Sequence, residues 1–185
     1  MANRTANYTA FYVKEPFSEN QLGAYAAKDF CYYQMFKAWK ATDTSFPFID
    51  AHARTYSVRD SSDWESTLKP RLHQRLRAST NILLILSSNT ANSRALREEI
   101  DYGINTLGLP VIVIYPELKN ESDIHSGDDF TKEVKELWNR LPIFRNSKSK
   151  VPVLHIPMSK DLIKDALLDN DLRVSTKMSA GDYYI

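Results

Sequence analysis

The chain has 185 residues, 43% of them hydrophobic and 25% charged, with a formal net charge of +1. That length builds one domain with a sizeable core, and that charge balance speaks against a broad nucleic-acid or membrane-surface role. A single cysteine, Cys31, excludes an internal disulfide framework and suits a reducing compartment; flanked by Phe30, Tyr32 and Tyr33, it reads as a packed thiol.

The N-terminal stretch MANRTANYTAFYV has neither the basic start nor the apolar run of a signal peptide, and no segment approaches membrane-spanning length. A cytoplasmic location is expected, so the sequons at Asn3, Asn7 and Asn120 carry little meaning. Tyr8–Val13 reads as the first strand and Lys28–Lys40 as the first helix. A second strand is expected over Phe46–Ala51. The next helical pattern, Leu68–Ala78, should begin near Pro70, which would break a helix interior.

Ile82–Leu86 (ILLIL) and Val111–Tyr115 (VIVIY) are strands with no polar alternation, as in the middle of a parallel sheet covered on both faces. Between them lies a helix over Ser93–Leu107. Phe130–Leu141 and Lys160–Leu168 also read as helices and Val153–Ile156 as a strand. Lys119–Asp129 and Asn146–Lys150 read as polar loops. Strand–helix alternation of this kind predicts a single α/β three-layer sandwich, flavodoxin-like, with a five-stranded, mainly parallel sheet in the order 2-1-3-4-5. One domain should span residues 1–185, with its core over about 8–168. The segments 1–7 and 173–185 are expected to lie outside that core.

In that order, strands one and three are neighbours whose crossovers leave on opposite faces, so a ligand crevice is expected beyond their carboxyl ends. The loops there start at Lys14 and at Ser87. The second runs SSNTANSRALREEI, from a polar loop into a helix with two adjacent glutamates, Glu98 and Glu99. Leu96, Ile100, Gly103, Ile104 and Leu107 form its apolar stripe. At 100° per residue, Glu99 falls about 80° from the stripe's centre and Glu98 roughly opposite it. Glu98 therefore reads as a solvated charge. Glu99 sits at the buried margin and leans back towards Ser87–Ser93, either as a border residue paired with Arg97 or a lysine, or as a site carboxylate. The oxygen-bearing loop residues could cap the helix or bind a nucleotide, and composition does not choose.

His52, His73, His125 and His155 lack ligand spacing, so no metal site is expected. No nucleophile elbow, Walker loop or Gly-rich dinucleotide fingerprint is present.

The segments LKPRLHQRLRASTNILLILSSNT and IDYGINTLGLPVIVIYPE, with KDFCYYQMFKAW after strand one, resemble TIR domains. They are most similar to the TIR-like branch of bacterial antiphage systems, and within it to the ThsB family of Thoeris defence. The resemblance runs from about Tyr8 to Leu168 and is most specific over Ile82–Glu99. One departure is that Ala95-Leu96 stands where many TIR domains have Trp-Cys, so pocket details of those members do not transfer. On this resemblance Ser87, Asn89 and Ser93 take the loop positions and Glu99 that of the catalytic glutamate.

The resemblance implies cleavage of NAD at the nicotinamide–ribose bond. The product would be a cyclic ADP-ribose-type signal that diffuses to a partner effector of the ThsA kind. NAD is then the substrate, and no separate cofactor is implied. Phe11 and Tyr12, ending strand one, and Asp50 with His52, ending strand two, could line the site; equally, the first two could be core aromatics and the last two an exposed loop pair. Arg54 or Arg94 could meet a phosphate, and Lys69, Arg71, Arg75 and Arg77 form a basic stripe read as a solvated outer face. The family's habit of self-association implies a homo-oligomer with low activity in the isolated protein. The alternatives are a catalytically silent interaction module and a passive nucleotide sensor.

Overall fold

A computed structural model describes residues 4–13, 28–53, 63–175 and 178–185. Its elements are β1 (Ala6–Ala10), α1 (Lys28–Thr42), α2 (Lys69–Arg77), β2 (Ser79–Ile85), α3 (Arg94–Ile100), β3 (Val111–Tyr115) and α4 (Glu121–Ile124). There follow β4 (His125–Ser126), β5 (Asp129–Phe130), α5 (Lys132–Arg140), α6 (Pro142–Ser147), β6 (Pro152–Pro157), α7 (Lys160–Leu168) and β7 (Gly181–Tyr184). Five strands form one sheet, β1-β2-β3-β6-β7, and every neighbouring pair is parallel. This is the expected α/β sandwich.

Strands β2 and β3 are buried throughout, as their unbroken apolar runs require at the centre of a sheet covered on both sides. On one face Tyr33 and Phe36 of α1 and Ile163 and Leu167 of α7 pack against Leu83, Ile85, Ile112 and Ile114. On the other, Leu72 and Leu76 of α2, Leu96 and Ile100 of α3, Val134 of α5 and Phe144 of α6 pack against Tyr8, Ile82, Leu84, Val111 and Val113. Helix α2 carries Pro70 in its first turn, and a π-type helix over Trp64–Leu68 runs directly into it, so the helical stretch begins before the proline rather than near it as expected. Helix α3 runs on as a wider π-type helix over Asp101–Thr106. There Gly103 lies so close to β2 that a Cβ would come within 2.4 Å of Ile82 Cδ1.

Two details of the sheet differ from the sequence reading. The segment expected as strand two, Phe46–Ala51, meets β1 through a single parallel bridge, Asn7 to Asp50. It keeps the predicted place outside β1, with Asn7 N–H donating to Ile49 O at 2.7 Å and Ala51 N–H to Asn7 O at 3.1 Å. Pro47 has no N–H to extend a ladder, and the buried Phe46 and Phe48 commit the segment to packing on α1's side.

The tail, expected outside the core, supplies β7 at the opposite edge. A hydrogen-bond chain anchors it. Trp138 Nε1–H donates to Tyr115 Oη at 2.8 Å, and Tyr115 donates to His155 Nδ1 at 2.7 Å. His155 Nε2–H then donates to Asp182 Oδ1 at 3.0 Å, and Lys148 Nζ binds the other carboxylate oxygen. Burial alone would raise the Asp182 carboxyl, but the bonds from His155 and Lys148 outweigh it and hold it below the usual carboxylate range. Burial also lowers the pKa of His155, so the neutral ring that this chain requires is the favoured form.

No helix among the described residues is long and apolar enough to cross a membrane.

Candidate active site

Strand β1 alternates its side chains across the sheet, so Tyr8 and Ala10 face α2 and α3 while Phe11, just past the strand, packs among the aromatics of α1. Helix α3 starts at Ser93, whose Oγ accepts from Leu96 N–H at 3.3 Å. That cap, and the burial of Leu96 and Ile100, set the helix's rotation. Glu99, half-buried between them, therefore turns towards β1. Tyr8 Oη donates to Glu99 Oε1 at 2.8 Å. Burial, and then the negative charge of Glu99, raise the phenol's pKa well above its usual value, so Tyr8 stays a protonated donor.

A second layer lies against Tyr8. The His52 ring packs on it with centroids 4.6 Å apart. His52 Nε2 faces Thr9 O at 3.0 Å, and Nδ1 faces Arg75 Nη1 at 3.0 Å. A carbonyl only accepts and a guanidinium only donates, so Nε2 carries the proton and Nδ1 is bare. Desolvation, and then the Arg75 charge, lower the pKa of His52 to about 4. Asp50 Oδ1 accepts from His52 N–H at 2.9 Å, and Oδ2 accepts from Tyr33 Oη at 2.7 Å. A chain of contacts thus links Glu99, Tyr8, His52 and Asp50 across three elements.

The loop after β2 is held from within. Ser87 is fully buried; its hydroxyl donates to Asp29 Oδ1 in the first turn of α1 at 2.6 Å and accepts from Asn89 N–H at 3.1 Å. Ser87 N–H donates to Thr90 Oγ1 at 3.0 Å, and Ser88 N–H to Glu117 Oε2 at 2.8 Å. Ser87 thus ties the loop to α1, Ser93 caps α3, and Asn89 stays exposed at the turn. Phe11 stacks on Tyr33 at 5.3 Å, and Tyr12 packs half-buried against the opposite core.

Several expectations change. Glu98 is not a solvated charge: its Oε1 lies 2.7 Å from His73 Nε2 and 3.6 Å from Lys69 Nζ, because α2 packs alongside α3. Glu99, expected either as a border residue or as a site carboxylate, accepts a hydrogen bond from Tyr8. The basic stripe on α2 is not a free outer face, since Arg75 turns in to His52 and Arg77 Nε donates to Tyr102 Oη at 2.8 Å. Arg94 lies over the Trp64 ring at 4.6 Å and pairs with Glu65 at 3.0 Å. Arg54 and the loop from Lys14 to residue 27 lie outside the described residues.

The sequence reading missed Tyr8 as the partner of Glu99 and Arg75 as the partner of His52. A signal existed for Arg75. It stands three residues after Leu72 and one before Leu76, just as Glu99 stands to Leu96 and Ile100, so both occupy the same margin of a buried stripe.

Two open grooves among the described residues, of about 320 and 500 Å³, run past Trp64, Arg94 and Glu98 and past Asn120 and Ser159. Neither is lined by Glu99 or Tyr8, so these two grooves and the chemistry-bearing cluster are different places. No group of three or more His, Cys, Asp or Glu among the described residues is arranged to hold a metal ion.

The stretch that carries this cluster, from Tyr8 through β1, α2, the Ser87 loop and α3, falls inside a family match. Residues 8–121, more than half of the chain, match the family described as Thoeris protein ThsB, TIR-like domain. With the parallel sheet and its flanking helices in agreement, the chain belongs to the ThsB TIR-like domain family.

Proposed function

We propose that this chain is an NAD-cleaving TIR-like enzyme in which Glu99 is the catalytic carboxylate. Its product in this reading is a cyclic ADP-ribose-type signal that reaches a ThsA-like effector. The observation that carries the reading is the half-buried Glu99 carboxylate, held at 2.8 Å by a fully buried tyrosine within the family-matched segment.

The chemistry suits one carboxylate. In NAD the nicotinamide nitrogen is already cationic. When the bond to the ribose breaks, its electron pair moves to that nitrogen and neutral nicotinamide leaves without an acid. The barrier is the oxocarbenium charge growing on the ribose, which a fixed anion beside the sugar stabilises. Two-carboxylate glycosidases need their second group to protonate the leaving oxygen. For cyclisation, a nucleophilic atom of the same ADP-ribose attacks the anomeric carbon and loses its proton to solvent, which requires water to be kept from that carbon.

Within this reading Asn89, exposed at the turn, and Tyr12 meet the nucleotide. Ser87, Ser93, Asp50 and Phe11 shape the walls through the contacts they already make. NAD is the substrate in the cytoplasm, no cofactor or metal takes part, and self-association raises activity.

The test compares nucleotides extracted from phage-infected cells expressing wild type or Glu99→Gln, by mass spectrometry. Glutamine keeps the shape and removes the charge. A species of cyclic ADP-ribose mass should accumulate with wild type and fall at least about 100-fold with the variant, as for loss of a principal electrostatic stabiliser. Equal amounts in both, or none in either, would overturn the reading in favour of an interaction module or sensor.

A further inference from the structure

We infer that Tyr8 is the positioning residue for Glu99: its hydroxyl orients the carboxylate and keeps it ionised, and the His52–Arg75 pair fixes the tyrosine in turn. The inference rests on the reading of Glu99 as the catalytic carboxylate.

The geometry has three parts. First, Tyr8 is one of the largest fully buried side chains, yet its polar end is spent on a helix glutamate rather than on backbone or solvent. A phenol in the core without an acceptor is costly, so a site that only needed volume would take phenylalanine. Second, the donor cannot drift. The ring is wedged by His52 at 4.6 Å, and His52 is pinned from both nitrogens by Thr9 and Arg75. Third, burial and then the Glu99 charge keep Tyr8 protonated against the opposing pull of Arg75. Arg75 approaches from α2, the neutral His52 from the segment after the bridge, and Glu98 and Arg97 belong to α3 itself, with Glu98 engaged by His73 and Lys69. A hydrogen bond donated to an ionised carboxylate favours that form, and a locked rotamer keeps the charge where the sugar cation would develop.

The test is Tyr8→Phe, read in two ways. In purified protein with carboxyl-labelled glutamate, the Glu99 resonance is assigned by its absence in Glu99→Gln and titrated by NMR. In infected cells, the cyclic nucleotide is measured per amount of folded protein. Removing the donor should raise the Glu99 pKa by about one unit and cut product at least about 10-fold. A merely structural role would lower the melting temperature and leave the Glu99 pKa in place. If Tyr8→Phe does not fold, 3-fluorotyrosine at position 8 keeps the ring and strengthens the donor, and the Glu99 pKa should fall. Product lost in Glu99→Gln, with either the Glu99 pKa or the product per folded protein unchanged by these substitutions at Tyr8, overturns the inference alone. Product retained in Glu99→Gln overturns the catalytic reading and Tyr8's role with it.

Discussion

Adjacent glutamates on α3 meet different fates because each residue advances a helix by about 100°. Glu99 turns to the sheet and Tyr8, whereas Glu98 turns to α2 and pairs with His73 and Lys69. The difference gives a control for the active-site reading. Glu98→Gln should leave cyclic nucleotide in infected cells at wild-type level while lowering stability by about 1 kcal/mol, measured by urea unfolding, since a half-exposed ion pair is worth no more. A collapse of product in Glu98→Gln with folded protein would show that the wrong glutamate carries the chemistry.

At the scale of elements, the informative case is β7. Four residues cannot hold an edge strand by backbone pairing alone, and its hold on β6 is concentrated in Asp182. Asp182→Ala would leave Lys148 and the buried His155 without their acceptor. That should cost about 2–3 kcal/mol, as breaking a partly buried charged network does. Hydrogen exchange should then show the Gly181–Tyr184 amides losing protection while β2 and β3 keep theirs. Equal loss of protection in all three would mean that β7 and the central strands open as one unit.

Acid stability is a property of the whole molecule, because the two histidines with depressed pKa values sit far apart in the sheet, His52 beside β1 and His155 on β6. In the unfolded chain a histidine titrates near 6.5, whereas folded His52 titrates at about 4 and His155 below its usual value. Above pH 6.5 both states hold neutral rings and nothing is gained. As pH falls from 6.5 towards 4, only the unfolded chain takes up the proton, so stability declines, with His52 contributing about 3 kcal/mol at the acid end. The Asp182 carboxyl, lowered in the fold, adds its loss at lower pH still. Urea unfolding from pH 7 to 4 should show this decline, and His52→Gln should flatten it. An unchanged slope in that variant would mean that His52 is not desolvated as the packing requires.

Much of this was legible in the residues themselves. The unbroken apolar runs of β2 and β3 define the centre of a parallel sheet, and the stripe through Leu96 and Ile100 sets Glu99 at a buried margin. These are local consequences of periodicity, readable within one element. Contacts between residues far apart in the chain were not. Tyr8 meets Glu99 across 91 positions, Arg75 meets His52 across 23, and Asp182 meets His155 across 27. A tyrosine, an arginine and an aspartate look like any others until packing decides which face is dry and which partner lies opposite. Periodicity determined where each chain segment would run; only the tertiary structure decided which polar groups would meet, because burial makes an unpaired polar group costly and the fold alone supplies its partner.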